Sequence, residues 1–453
     1  LAIADKIINF TPKTRFAHFC DFLSSEQAII DQGLAIYFPA PHSFTGEDVL
    51  ELQCHGSSII MDMLLERILG LGARMAEPGE FTRRAFLNHK IDLIQAEAIA
   101  DLIDATSQQA AQNAVRSMQG EFSKLVNQLL NLLIKIRAEL EATIDFPEEE
   151  EIENLTLNNI TADINNILQR INNIKNIAKQ GEILRDGITI VLAGKPNAGK
   201  SSLFNYLAGH NAAIVTDIPG TTRDVLHARI QIDGLPINLI DTAGLRTQAD
   251  TIEAEGIRRA QEQMQQADHV LLVVDATNPQ DIELIPENIK YTIVYNKIDL
   301  INEAPTNSNY SPDVRHCEPH VVYGAKQSIN ILDCFTKNAR NDKTIQSKQV
   351  ITNNCLYISV QNNQGLDLLK QHIKDIAGLQ SIENGFSARR RHLEALNQCE
   401  QHLIDANKIL TSSSLELAAD DLKFAQRALG EITGEFSADN LLDKIFGEFC
   451  IGK

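Results

Sequence analysis

The eight residues Gly194-Lys195-Pro196-Asn197-Ala198-Gly199-Lys200-Ser201 constrain this chain more than any other stretch. They fit G-x-x-x-x-G-K-[S/T], a loop whose glycines let backbone N–H groups wrap phosphate oxygens. The flanks suit that role: Ile188–Ala193 reads as a buried strand, and Ser202 through Leu207 opens a helix whose N-terminal N–H groups favour an anion. Asn197, Ala198, Gly199, Lys200, Ser201 and Ser202 are therefore candidate nucleotide contacts. Lys200 would reach the β/γ oxygens, and the Ser201 hydroxyl would face Mg²⁺.

The downstream companions decide the nucleotide. Asp241-Thr242-Ala243-Gly244 ends an apolar strand, where the Asp can hold the metal's water shell and the Gly N–H can meet a γ-phosphate. Asn296-Lys297-Ile298-Asp299 follows another strand, and its Asp offers paired acceptors for the N1–H and 2-amino donors of guanine. Adenine has no such donor pair and would leave a buried carboxylate unsatisfied. Gly220-Thr221-Thr222-Arg223-Asp224 lies between these segments, where a metal-sensing switch loop belongs, with Thr216, Asp217, Ile218 and Pro219 just before it. For the base-contacting loop we prefer Ser359-Val360-Gln361 over Gly324-Ala325-Lys326, because the former follows a strand and precedes Gly365 and a helix. The order and spacing predict a GTP site.

Two residues narrow the type of GTPase. Leu245 stands where many GTPases place the Gln that orients the attacking water, so another polar group must act. Glu253 and Glu255 are the nearest carboxylates, with Arg223 and Asp224 next; on the residues alone a solvated helix face is the simpler explanation of them. Asn197 could ligate a monovalent cation beside the phosphates, supplying charge that an arginine finger supplies elsewhere, or could merely stabilise the loop.

At 453 residues and 43% hydrophobic content the chain has room for two to four packed domains. No apolar run of about eighteen residues indicates a membrane helix, and no signal peptide is visible. The sequence opens on Leu1 rather than Met, which predicts a further segment upstream. Seven scattered cysteines without a C-x-x-C pair fit reduced thiols in a cytoplasm. Cys54-His55 lacks metal-ligand companions. The formal charge of −19 repels a polyanion at distance, so RNA contacts must be local or supplied by a basic partner. The clearest basic run, Arg389-Arg390-Arg391-His392, and the acidic run Glu148 to Glu151 both read as solvated faces.

Periodicity predicts an α/β multidomain chain. Residues 1–88 form an N-terminal α+β domain, with a strand over Val49–Gln53 and a helix over 59–69. Residues 89–185 are helical: Phe122, Leu125, Val126, Leu129, Leu133, Ile136 and Leu140 share one face, Phe146-Pro147 breaks the pattern, and 155–179 resumes it. A doubly wound phosphate-loop GTPase domain spans 186–378, with a polar surface insertion at 302–350. Residues 379–453 return to helix, read as one stretch from Arg389 to Ala428 on Leu393, Leu396, His402, Leu403 and Ile409, so the GTPase domain interrupts a helical one.

The flanks carry a resemblance. Phe44 through Gln53, Pro78-Gly79-Glu80-Phe81-Thr82, Arg84-Ala85-Phe86-Leu87-Asn88, Asp92 through Ala105, Asp145-Phe146-Pro147, Gly430 through Phe436 and the terminal Cys450-Ile451-Gly452-Lys453 resemble the MnmE (TrmE) family of tRNA-modification GTPases over nearly the whole chain. The resemblance implies a homodimer whose N-terminal domain binds a formyl- or methylene-tetrahydrofolate, joined in a heterotetramer by the flavoprotein MnmG (GidA), which carries FAD and uses NADH. It implies an aminomethyl or carboxymethylaminomethyl group added at C5 of the wobble uridine (U34), with contact to the tRNA anticodon loop. GTP hydrolysis would drive the GTPase domains together, activated by K⁺. By motif, Asn197, Thr216, Ile218 and Thr221 would surround K⁺, Ser201 and Thr222 would hold Mg²⁺, and Glu253 matches the water-orienting carboxylate. Glu51, Lys90 and Lys453 match folate-contacting positions, and Cys450 lies in the specific tail. The family's glycine-rich N-terminus, with a further Arg of that pocket, is not in this sequence. Cys54 stands where the family usually has Gly, Asn440 where it usually has Asp, and Ser359-Val360-Gln361 departs from Ser-Ala-Arg/Lys. Two competing readings are a GTP-binding assembly module without folate chemistry and a general ribosome-assembly GTPase.

Overall fold

The computed structural model describes residues 1–145, 150–211, 226–241, 253–280, 285–286, 288–301, 355–378, 385–410, 414–435, 439–447 and 449. Two compact units result. One comprises Leu1–Arg185 with Ser381–Lys453, the other Asp186–Gln380.

The first unit begins with α1 (Ala2–Ile8), followed by β1 (His18–Leu23), β2 (Ile29–Phe38) and β3 (Val49–Gln53). The strands form an antiparallel sheet in the order β1-β2-β3, with Phe19 opposite Leu34 and Ile36 opposite Glu51. Alternation puts Phe22 and Ala35 inward against Ala4 and Ile7 of α1 and Leu64 of α2 (Ser58–Gly70). Sequence periodicity did not foresee α1, which is too short for a clear repeat.

Helices α3 (Glu80–Leu87), α4 (Leu93–Ile103), α5 (Gln108–Met118), α6 (Glu121–Asp145) and α7 (Glu150–Asp186) follow. The helical run expected from residue 89 to the break at Phe146-Pro147 is thus divided, and its divisions have local causes. Asp92 accepts the N–H of Gln95 at 2.8 Å while Gln95 Oε1 accepts that of Asp92 at 3.0 Å, a capping box that starts α4. The Ser107 hydroxyl accepts the N–H of Ala110 and starts α5. On α6, Phe122, Val126, Leu129, Leu133, Ile136 and Leu140 are buried, and Ile160, Ile164, Ile167 and Ile171 of α7 join the same core. Leu125 is only partly buried at its edge.

The second unit carries β4 (Ile188–Ala193), α8 (Lys200–Asn211), β5 (Leu226–Ile232), β6 (Leu235–Asp241), α9 (Glu253–Gln266), β7 (His269–Asp275), β8 (Tyr291–Asn296), β9 (Cys355–Tyr357) and α10 (Leu366–Ala377). Its sheet runs β5-β6-β4-β7-β8-β9, parallel except for the β5–β6 pair. Strands buried on both faces read as continuous apolar runs, which is why Ile188–Ala193 was legible as a strand. Chain order leaves β4 in one direction to β6 and in the other to β7, and ligands bind at the carboxyl ends of strands at such a switch point.

The chain then returns to the first unit with α11 (Arg390–Ile409), α12 (Leu415–Thr433) and α13 (Asp439–Gly447). The single stretch expected over 389–428 is two helices: Leu396, Cys399, Leu403 and Ala406 of α11 and Leu422, Ala425, Leu429 and Ile432 of α12 enter the core of α6 and α7. Leu393 and Ile409 pack against it from the edge.

The basic run before α11 corrects the sequence reading. Arg391 makes a two-pronged pair with Glu97, at 2.7 and 2.8 Å, and His392 Nε2 stands 2.9 Å from the same carboxylate. Arg389 donates to Asp101 at 2.8 Å, as do Arg185 at 2.8 Å and the Ser387 hydroxyl at 2.6 Å. Glu97 and Asp101 lie on one face of α4 and are buried. Of the four residues, Arg390 alone has a predominantly solvated side chain, paired with Glu394 on its own helix. Two carboxylates brought from some 290 residues upstream turned a presumed solvated face inward.

Candidate active site

Between β4 and α8 the loop residues take conformations that a side chain resists. Gly194 has φ +133° and Gly199 φ +97°; an added Cβ would lie 2.2 Å from Val273 O and 2.1 Å from Asn296 Nδ2 respectively. Asn197, also left-handed at φ 65°, tolerates that region because its short polar side chain fits there. Lys200 starts α8, is buried, and donates to the carbonyls of Gly194 (2.6 Å) and Lys195 (2.9 Å). The Ser201 hydroxyl donates to Asp241 Oδ2 at 3.1 Å, where Asp241 closes β6 and is fully buried.

The next segment closes on the loop from the other side. Asn296, at the end of β8, is buried; its Nδ2 donates to Ala198 O at 3.1 Å and its Oδ1 accepts the N–H of Val360 at 3.3 Å. The Ser359 hydroxyl donates to Asp299 Oδ1 at 2.5 Å and accepts the N–H of Asn362. Ser359 and Gln364 exchange backbone hydrogen bonds, holding this turn beside the Asp299 carboxylate. Lys297 sits at φ 67° and pairs with Asp275 of β7 at 2.6 Å. Three sequence segments, 194–201, 296–299 and 359–364, therefore meet at the carboxyl ends of β4, β8 and β9.

Other expected residues fall elsewhere. Thr216, Asp217, Ile218, Pro219, Gly220, Thr221, Thr222, Arg223, Asp224, Thr242, Ala243, Gly244, Leu245, Cys450 and Lys453 lie outside the described residues, as do the 302–350 insertion and Gly324-Ala325-Lys326. Glu253 is the first residue of α9, but its side chain is not among those described. Gln361 is exposed beside Val360. Glu51 is exposed on β3, and Lys90 donates to Pro41 O at 3.0 Å; no hydrogen bond or ion pair joins the two.

One constellation escaped the sequence reading. Glu80 bridges Arg74 and Arg84, each at 2.6 Å, and Arg84 also holds Glu47 at 2.7 Å, around a cavity of about 250 Å³ that Thr45, Asp48 and Phe81 help to line. The Arg74 hydrogen bond, the Glu77 N–H and Arg84 hold the Glu80 carboxyl down to about 2. Both motifs were visible as signatures, but their convergence is a tertiary fact. Among the described residues no three His, Cys, Asp or Glu side chains form a metal cluster, and no helix is long and apolar enough to cross a membrane.

Comparison with known proteins bears on the whole chain. The MnmE helical domain model matches residues 93–450, and the model of the GTP-binding protein TrmE N-terminus matches residues 1–90. The tRNA modification GTPase MnmE of Coxiella burnetii (strain Dugway 5J108-111) is 49% identical over 463 aligned positions, covering 100% of this chain and 93% of that protein. The chain belongs to the MnmE family of tRNA modification GTPases. The MnmE of Ectopseudomonas mendocina (strain ymp) is 48% identical with the same coverage. Among solved structures, the G domain of the T. maritima FeoB iron transporter is similar over 42% of this chain and 98% of its own, at 23% identity and a TM-score of 0.26, too weak a likeness to bear on function. As a member of the MnmE family, the chain is a GTP hydrolase acting in tRNA modification, built as a multidomain α/β protein.

Proposed function

We propose that the chain is a K⁺-activated GTPase that works in the cytoplasm with an MnmG-type flavoprotein to place an aminomethyl or carboxymethylaminomethyl group on C5 of the wobble uridine of certain tRNAs. The observation that carries this reading is the meeting of 194–201, 296–299 and 359–364 at one end of the sheet, in a chain similar to tRNA modification GTPases over its full length.

Each residue then has a task. Lys200 exchanges the carbonyls of Gly194 and Lys195 for phosphate oxygens, at little cost in desolvation because it is already buried. Asp299 accepts from the guanine edge, steadied by the Ser359 hydroxyl, and the backbone of Ser359, Val360 and Gln361 lines the base. The Ser201 hydroxyl is a hard oxygen donor that suits Mg²⁺, with Thr222 as a further ligand, and Asp241, 3.1 Å from that hydroxyl, would hold the metal's water shell. Magnesium, when bound, offsets phosphate charge during transfer. The Asn197 amide oxygen, with Thr216, Ile218 and Thr221, suits K⁺, whose charge takes the place of an arginine finger. Glu253 orients water in place of the Gln that Leu245 displaces, and Arg223 and Asp224 support the switch loop. Glu51, Lys90 and Lys453 hold a formyl- or methylene-tetrahydrofolate near the Cys450 tail, and two chains pair through the N-terminal domains and, on GTP, through the GTPase domains.

Mass spectrometry of wobble-uridine nucleosides tests this reading. Cells lacking the chain should lose the modification, recover it with the wild type, and fail to recover it with Glu253→Ala. Unchanged nucleosides in the deleted cells would instead favour a GTP-binding assembly module.

A further inference from the structure

A chain carrying −19 needs a local surface for RNA, and Arg389 and Arg391 are committed to Glu97 and Asp101. Among the described residues, one group of outward cations lies on α6 and α12, away from the Arg74 and Arg84 cluster that Glu47 and Glu80 already neutralise. Arg137, Lys423, Phe424, Gln426 and Arg427 line a groove of about 560 Å³. Lys423 and Arg427 are one turn apart on α12, and Arg137 reaches across from α6 to Gln426 Oε1 at 2.5 Å. Phe424 lies between them, 49% exposed, beside His402 at a centroid distance of 5.4 Å.

Among the described residues, two carboxylates pair with these cations. Glu141 lies 3.2 Å from Arg137, and Glu431 lies 3.7 Å from Arg427. Both pairs are solvent-exposed on at least one partner, and such pairs contribute only about 0–1 kcal/mol, so a phosphate can displace them. Lys423 has no carboxylate partner among the described residues. An exposed aromatic ring flanked by cations is the arrangement that stacks an unpaired base while holding its backbone phosphates. A duplex would not use it, because stacked bases present no open face to Phe424.

We propose that this groove docks a single-stranded segment of the tRNA, with one base on Phe424 and adjoining phosphates on Arg137, Lys423 and Arg427. The assignment rests on the tRNA-modification reading and adds where on the chain the RNA is held. A protein partner would find the same ring useful, but it would gain less from three cations around it.

The test uses the full chain and an unmodified tRNA transcript. Phe424→Ala should weaken tRNA binding by about tenfold or more. Lys423→Glu with Arg427→Glu should weaken it further, and should flatten the slope of log affinity against log salt by about 0.7 for each single-strand phosphate the variant no longer neutralises. GTP turnover without RNA should stay at the wild-type rate in both, which guards against misfolding. Wild-type tRNA affinity in the variants, or a wild type that binds tRNA no better than they do, overturns the proposal. So does loss of flavoprotein binding with tRNA affinity intact, which would assign the groove to a protein. If wild-type cells keep the wobble modification while the groove variants bind normally, the groove fails and the modification reading stands.

Discussion

The phosphate-loop site and the buried carboxylates of α4 both depend on charged side chains in low-dielectric surroundings, yet they are built in opposite ways. At the loop, Lys200 is satisfied by carbonyls five and six residues behind it, and Ser201 by one carboxylate. Within the helical unit, Glu97 is satisfied by Arg391 and His392 from 294 and 295 positions away, and Asp101 by Arg185, Ser387 and Arg389. The first arrangement keeps a cation available to exchange partners with a ligand. The second locks two carboxylates against fixed cations and ties together residues on either side of the inserted unit. Local construction goes with chemistry here, and long-range construction with stability.

That contrast can be broken at either end. Lys200→Ala should lower GTP turnover more than about a hundredfold, the scale of losing a transition-state donor, while hydrogen exchange in the helical unit stays as in the wild type. Destabilisation of both regions together would deny the division of labour. Glu97→Ala should do the reverse. Removing one partner from a buried pair costs about 3–5 kcal/mol, so denaturant unfolding of α4, α6, α11 and α12 should shift to lower concentration, with guanine-nucleotide affinity unchanged.

Acid sharpens the comparison. Burial and the neighbouring Arg391 charge push the His392 ring down to about 4, and its Nδ1 accepts the Arg389 N–H, which leaves the proton on Nε2 facing Glu97. From about pH 6.5 down to 4 the unfolded chain takes up a proton that the folded chain does not, so stability is complete above this window and falls on acidification. Burial alone would raise the Glu97 carboxyl, but His392 and Arg391 hold it well below the usual carboxylate range, and that contribution also disappears as pH falls further. His269 and His372, buried on either side of Thr292, give the GTPase unit an acid loss of the same sign. Melting between pH 7 and 5 should therefore weaken both units, and His392→Gln should flatten the slope in the helical unit alone. At the small end, Arg390→Ala should change stability by no more than about 0.5 kcal/mol in the same assay, since its pair with Glu394 is exposed.

What was legible in the sequence follows the same line. The α/β phosphate-loop unit could be read because its motifs are contiguous and each sits at the end of an apolar run, as with Ile188–Ala193 before Gly194 and Tyr291 to Tyr295 before Asn296. Ser359-Val360 lies beside Asn296, and the strand before it and Gly365 after it are the local signals that pointed to it. Arg389 and Arg391 were misjudged because a run of cations says nothing about carboxylates nearly 300 residues away. The helix breaks at Asp92 and Ser107 were written in capping residues but hidden by a continuous apolar rhythm. The groove cations are split between α6 and α12, so no window of sequence contains them together.

On the proposed reading this GTPase, with Leu245 where many GTPases have Gln, would rely on a monovalent cation beside Asn197. GTP turnover by the full chain, measured side by side in K⁺ and in Na⁺ at equal ionic strength, tests it most directly. A sharp rise in K⁺ that Asn197→Ala removes is the expected result; equal rates in the two salts would contradict the claim.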